Sequence, residues 1–297
     1  MQYTLAIFLG TVLSTVLGFN ISNWGNSQSP EHKITIKSDS TDVPLKAIKN
    51  AGVTETKHDL SCLEGEGLGG LISIFGGFEE EIVGAVDVQV SLEEEMEVGE
   101  QAKKEILSKS SLLTDSRYTN RIDRIMKRLL AELDNPRFDY EWYIINEDVI
   151  NAMTCGGYIF IYKGIIDFAD DDDEIAAILA HEIYHNELEH IKQHIKKEKI
   201  AKGIFGEFSQ IPMLAATVLT LSYNQKNEAN CDLYGIDLCQ KAGYDGCHAE
   251  KLWQRMSNKE GDRLEFEKLF STHPFSKERA NCIRKHMKNN YNRTCSH

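Results

Sequence analysis

No Cys-x-x-Cys pair occurs in the chain, which removes the local signature of zinc ribbons and thioredoxin-like redox centres. Basic residues are in the minority, with 33 Lys and Arg against 46 Asp and Glu and a formal net charge of -13. A nucleic-acid binder needs a basic footprint, so nucleic acid is not an expected partner. Proline is scarce, and the 41% of hydrophobic residues is ordinary for a globular protein. Uncharged apolar runs are all but missing. The exception is Tyr3 to Phe19, 17 residues at the short edge of what crosses a bilayer. It reads as a secretory signal peptide lacking the usual leading Lys or Arg, as an uncleaved membrane anchor, or as a buried helix. Either of the first two places the body outside the reducing cytosol, as a secreted, periplasmic or membrane-anchored protein; an anchor would give membrane association through this segment.

What is present falls into three expected parts: 1–19 as leader or anchor, 20–85 as an extension or linker, and 86–297 as the domain that carries chemistry. Residues 20–60 are polar and aperiodic, and 65–77 are glycine-rich and apolar, a membrane-apposed or flexible stretch. Five of the seven cysteines lie after residue 230, a placement that suits disulfides stapling the C-terminal part in an oxidising compartment. An odd count leaves one thiol free or intermolecular. Asn292 opens Asn-Arg-Thr, either a glycosylation acceptor or a chance sequon.

From Ser91 the pattern turns helical. Ser91 with Glu94 three residues on has the form of a capping box. Ile122, Ile125, Met126, Leu129 and Leu130 form an apolar stripe at helical spacing, which reads as core. "FDYEWYIINED" and "GGYIFIYKGII" are aromatic and β-branched and read as strands, with Gly156–Gly157 marking a hairpin or bulge. The run Asp170 to Asp173 reads as the capped start of a helix, because the spaced ligands and glycine of a calcium loop are missing.

In "DEIAAILAHEIYH" His181 and His185 are one helical turn apart, so two neutral imidazoles can reach one tetrahedral zinc from the same face. Glu182 lies close enough to hold water there and move its proton. His-Glu-x-x-His arises by chance often enough to need a third ligand. Glu228 and Asp232, again at i and i+4, offer one. The first would complete the metal shell and the second would accept the N–H of a ligating histidine. Without the upstream motif, the same pair would read as exposed surface acids. His190 and His194 are better explained as solvated or hydrogen-bonded than as ligands.

In five blocks the chain resembles the gluzincin metallopeptidases of the HtpX, CAAX-prenyl-protease and mitochondrial Oma types, peptidase family forty-eight. They are "SLEEEMEVGEQ", "NAMTCGGYIFIYKGII", "DEIAAILAHEIYHNELEH", "YNQKNEANCDLYG" and "STHPFSKERA", in that order over roughly 90–285. The resemblance implies an α+β, mainly helical, zincin-like fold with a small sheet and the motif on its active-site helix. It implies His181, His185 and Glu228 as ligands of one Zn2+ per chain, Glu182 as base and Asp232 as the outer support. It also matches Asn151 and Ala152 to an edge that binds substrate in extended form; the plain alternative is an ordinary strand start. His273 would steady the oxyanion or visit the metal in a latent state; its alternative is a packed loop histidine. Arg279 would pair with an acidic residue near the site. Asn224, Gln225, Asn230 and Cys231 depart from the family block, and Tyr184 takes a position that is usually small, which would tighten packing under the zinc. None of the departures is an expected ligand.

The implied activity is zinc-dependent hydrolysis of peptide bonds in unfolded or membrane-associated proteins, in protein quality control. Two rivals remain. One is a deformylase-like zinc amidohydrolase with a cysteine ligand, for which Cys62 and Cys155 are the upstream candidates. The other is a non-catalytic or latent relative that binds polypeptides.

Overall fold

The computed structural model describes residues 58–63, 87–206, 208, 210–258, 263–274 and 277–295. The expected leader or anchor and the glycine-rich stretch lie outside these residues. So does most of the polar extension. Within the unit Val53–His297 the described residues are mainly helical with one small sheet. Among the described residues no helix is long and apolar enough to cross a membrane.

Helix α1 (Leu92–Lys109) starts where expected, with Ser91 Oγ accepting the Glu94 N–H at 3.1 Å. The reciprocal half of the capping box does not form. Both Glu94 oxygens instead accept from the buried Lys199 Nζ at 2.8 Å. An ammonium with no water around it is a stronger claim on a carboxylate than one backbone N–H. Helix α2 (Ser116–Ala131) buries Ile122, Ile125, Met126 and Leu129 completely, as its stripe requires.

Three strands follow, β1 (Glu141–Ile145), β2 (Ala152–Cys155) and β3 (Tyr158–Tyr162), in the order β1-β3-β2. β1 runs parallel to β3, and β2 antiparallel to it with Cys155 opposite Tyr158. That register leaves a two-residue turn, Gly156–Gly157, with φ of +55° and +88°. Two positive φ values in a row suit the right-handed twist of a tight hairpin and demand glycine. Space demands it too, since a Cβ on Gly157 would stand 2.8 Å from Phe138 Cβ.

The expected strand over "GGYIFIYKGII" ends early. Lys163–Phe168 is a short helix, α3. Ile165 and Ile166 are both buried, which strand alternation would not allow on a one-sided face. Lys163 also closes a one-turn ion pair to Asp167 at 2.6 Å. Short apolar runs do not distinguish strand from helix by periodicity alone.

The remaining helices are α4 (Asp172–Glu187), α5 (His190–Lys202), α6 (Ile211–Val218), α7 (Gln225–Lys241), α8 (Cys247–Asn258), α9 (Arg263–Thr272) and α10 (Lys277–Tyr291). The acidic run caps α4, Asp171 accepting the Glu174 N–H at 3.0 Å. Ile175, Ala176, Leu179, Ala180 and Ile183 of α4 are wholly buried. The helix lies at the centre, packed on α7 and against β2. Gly235 of α7 permits this closeness, since a Cβ there would meet the His181 backbone N at 3.2 Å. The Tyr184 ring packs with that of Tyr234 of α7 at 5.2 Å between centroids.

Two disulfides join Cys62 to Cys282 and Cys247 to Cys295. The expectation of one odd thiol needs correction, because Cys155, Cys231 and Cys239 all remain free and are buried. Cys155 and Cys239 pack in apolar clusters, and Cys231 Sγ lies 3.5 Å from His190 Nδ1.

Candidate metal centre

Helix α4 places His181 and His185 with their Nε2 atoms 3.0 Å apart. Helix α7 brings Glu228 against both, Oε1 at 3.3 Å from His185 Nε2 and Oε2 at 3.6 Å from His181 Nε2. All three are buried. Two ring nitrogens 3.0 Å apart beside a carboxylate bring candidate ligand atoms together around one point. Donors held about 2.0–2.1 Å from a tetrahedral zinc are separated by about 3.3 Å. The spacings here match that edge, and the donor set of two imidazoles and one carboxylate is a zinc set.

Burial and neighbouring charges shift two of the ligand candidates. Burial drives the His185 imidazolium well below its ordinary pKa, more than the Glu228 hydrogen bond restores, so the ring is neutral. Burial would raise Glu228, but the Arg279 and His273 charges and the hydrogen bonds it accepts hold it well below the usual carboxylate range. Glu182 is pushed upward by burial, with His273 and His181 opposing. Its Oε2 is buried without a hydrogen-bond partner, the state of a carboxylate placed to receive a proton.

Support comes from a second layer. Asp232 Oδ1 accepts from His181 Nδ1 at 2.9 Å, which leaves the Nε2 lone pair of His181 turned inward. On His185, Nδ1 meets His190 Nδ1 at 3.1 Å, and Tyr223 stacks on the ring at 3.7 Å between centroids. His190 is thus hydrogen-bonded, as its sequence position suggested. Arg279, fully buried, donates to both Asp232 oxygens at 2.7 and 2.8 Å and lies 2.6 Å from Glu228 Oε2. It also donates to the Pro274 carbonyl at 2.9 Å and rests 4.4 Å over the Trp253 ring. Its expected acidic partner is therefore the whole Glu228–Asp232 pair. Nothing local in the sequence announces this, nor the Tyr223 stack.

His273 stands 3.2 Å from Glu228 Oε1 and 3.5 Å from Glu182 Oε1. Burial would lower its pKa, but the two carboxylates outweigh that and raise it. An open cleft of about 500 Å³ begins at His181, Glu182 and His273 and is otherwise mostly apolar, with Ile178, Ile236, Leu252, Trp253, Met256 and Leu269. Ala152, at the start of the outer strand β2, lines the same cleft. Asn151 is fully buried next to it, and neither atom of its amide has a hydrogen-bond partner. Cys62 is tied up in a disulfide on α10, which removes it as a thiolate ligand.

A zincin-like fold with the His-Glu-x-x-His motif on a buried central helix, and a carboxylate supplied by a later helix, defines a metallopeptidase class. The family model described as Peptidase family M48 matches residues 116–287, more than half of the chain. The chain belongs to that family. It is 31% identical over 213 residues to a mitochondrial metalloendopeptidase, OMA1, of Schizosaccharomyces pombe, covering 65% of this chain and 61% of that protein. It is 24% identical to a beta-barrel assembly-enhancing protease of Yersinia pestis, over 66% of this chain and 46% of that protein. With the metalloprotease LoiP of Escherichia coli the identity is 27%, over 64% and 79%. The chain thus spans under two thirds of the length of the first two relatives.

Proposed function

We propose that the chain is a zinc-dependent metalloendopeptidase, holding one Zn2+ through His181, His185 and Glu228. Its substrates are unfolded or membrane-associated polypeptides, and its role is protein quality control. The observation that carries this is the triangle of inward-facing donors beside the unpartnered Glu182 carboxylate oxygen. Zinc, when bound, supplies Lewis-acid polarisation of the scissile carbonyl and lowers the pKa of water.

The chain's own residues do the rest. Glu182 takes the proton of the attacking water as its oxygen bonds to the carbonyl carbon, then delivers it to the amide nitrogen as the C–N bond breaks. Asp232 and Arg279 fix His181 and Glu228 in place. A charged His273 would offset the developing oxyanion. An extended substrate would add to the outer edge of β2 at Asn151 and Ala152, beside the cleft that Ala152 lines. The apolar cleft suits a large apolar side chain beside the scissile bond. Two disulfides support a location outside the reducing cytosol, secreted, periplasmic or anchored through the N-terminal segment.

The second reading, a latent or purely polypeptide-binding member, is favoured by one feature: His273 lies between Glu182 and Glu228, where it crowds the reaction centre. Replacing the base separates the two readings. Glu182→Gln is expected to lower casein cleavage by about 10²–10⁴-fold with zinc content unchanged. Undiminished cleavage in that variant would rule out the mechanism, and a wild-type chain that binds zinc and casein without cutting it would support latency.

A further inference from the structure

Residues 58–63 lie well before the stretch matched by the family model, yet they are fastened both to α7, which bears Glu228, and to α10. Two independent fasteners hold them. Cys62 is bonded to Cys282 of α10 across a sequence separation of 220. His58 Nε2 meets Asp237 Oδ2 of α7 at 2.6 Å. Between these points Leu60 and Leu63 pack with Cys62, Leu233 and Cys282, and the His58 ring lies 3.8 Å from that of Tyr234. Both cysteines are buried, 5% and 1% exposed. A disulfide so shielded from thiolate attack is an anchor, not a labile switch.

Helical geometry relates these fasteners to the metal centre. Glu228 and Asp232 share the face of α7 that meets α4, and Leu233, Tyr234 and Asp237 lie on the far side of the helix, under residues 58–63. Leu233 directly follows Asp232, and Cys282 is one turn along α10 from Arg279. The segment therefore closes the outer side of the α7–α10 junction, while Arg279, Asp232 and Glu228 form its inner side. Any loosening of this junction would disturb the carboxylate ligand and the partner of His181 together.

We infer that residues 58–63 are a strap that positions the metal centre, pinning α7 to α10 so that Arg279 holds Asp232 and Glu228 in ligating geometry. The strap rests on the proposal that His181, His185 and Glu228 hold zinc.

The test uses the full, zinc-loaded chain challenged with excess chelator. In the Cys62→Ser, Cys282→Ser double variant, which adds no new unpaired thiol to the three buried ones, zinc release should quicken about 10-fold. Amide hydrogen exchange should rise over residues 229–237 and 279–286. Cutting the other disulfide, with Cys247→Ser and Cys295→Ser, should change release by less than about 2-fold. His58→Ala keeps the disulfide and should quicken release about 3-fold, so it decides the matter if the double variant does not fold. Unchanged release in the Cys62 and Cys282 pair, or equal acceleration by both disulfide cuts, overturns the strap alone. A wild-type chain that takes up no zinc overturns the metal centre and the strap with it.

Discussion

Helix α7 carries two buried clusters of histidine and carboxylate that use the same residue types in opposite ways. Near its start, Glu228 meets His181 and His185, whose Nε2 atoms face each other at 3.0 Å. Near its end, Asp237 meets His286 and His58, but each Nε2 faces its own carboxylate oxygen at 2.6 Å. Tyr291 adds a hydroxyl to Asp237 Oδ1 at 2.6 Å. In the second cluster donors meet acceptors, and the carboxylate charge is satisfied. In the first, ring nitrogens and carboxylate oxygens converge on one point, an arrangement that would suit a cation. Histidine and acid in proximity do not make a metal site; the direction of their lone pairs does.

The largest expected effect separates the two clusters by metal content. At saturating zinc, Glu228→Ala should fall from about one zinc per chain to below about 0.1, whereas Asp237→Ala should still hold about one. Metal analysis of both variants checks this, and zinc loss from Asp237→Ala would break the comparison.

The next effect is on stability. Arg279→Met strands two buried carboxylates and should cost about 3–5 kcal/mol in urea unfolding of the zinc-free chain. A loss below about 1 kcal/mol would mean that the two acids are not held charged by this guanidinium.

Asp237 should show itself through pH. Burial alone would raise its pKa, but hydrogen bonds from His286, His58 and Tyr291 hold it below the ordinary carboxylate value. A depressed folded pKa means the unfolded state binds more protons at low pH. The contribution of Asp237 is then complete above about pH 4 and is lost as pH falls toward the folded value. Asp237→Asn should be less stable by about 2 kcal/mol near pH 6, with the gap narrowing near about pH 3. A gap that widens on acidification would contradict the assignment. Tyr291→Phe removes one donor to the same acid and should cost only about 1 kcal/mol, read from the same urea curves.

The contrast between the clusters also marks where sequence reading stops. His181, Glu182, His185, Glu228 and Asp232 are legible because each pair sits within one turn of one helix, and helical geometry turns spacing into direction. The hairpin at Gly156–Gly157 is legible for a similar reason, since two consecutive positive φ values leave few other residues. The second cluster joins residues 58, 237 and 286, and no local rule relates them. The burial of Lys199 against Glu94 is equally silent, because a helix rich in lysine normally reads as a solvated face. The short helix at Lys163–Phe168 was hidden by an apolar run that serves strand and helix alike.

By itself, then, the sequence determined the local chemistry of this protein: a motif helix with two imidazoles on one face, a carboxylate pair on another helix, and the hairpin beside them. Tertiary structure alone decided that Arg279 binds both carboxylates, that Cys62 pairs with Cys282, and that residues 58–63 close over α7. Backbone periodicity is a short-range constraint and survives in sequence order. Charge pairing and disulfide partnership depend on which surfaces meet once apolar faces are buried, and that is a property of the packed chain.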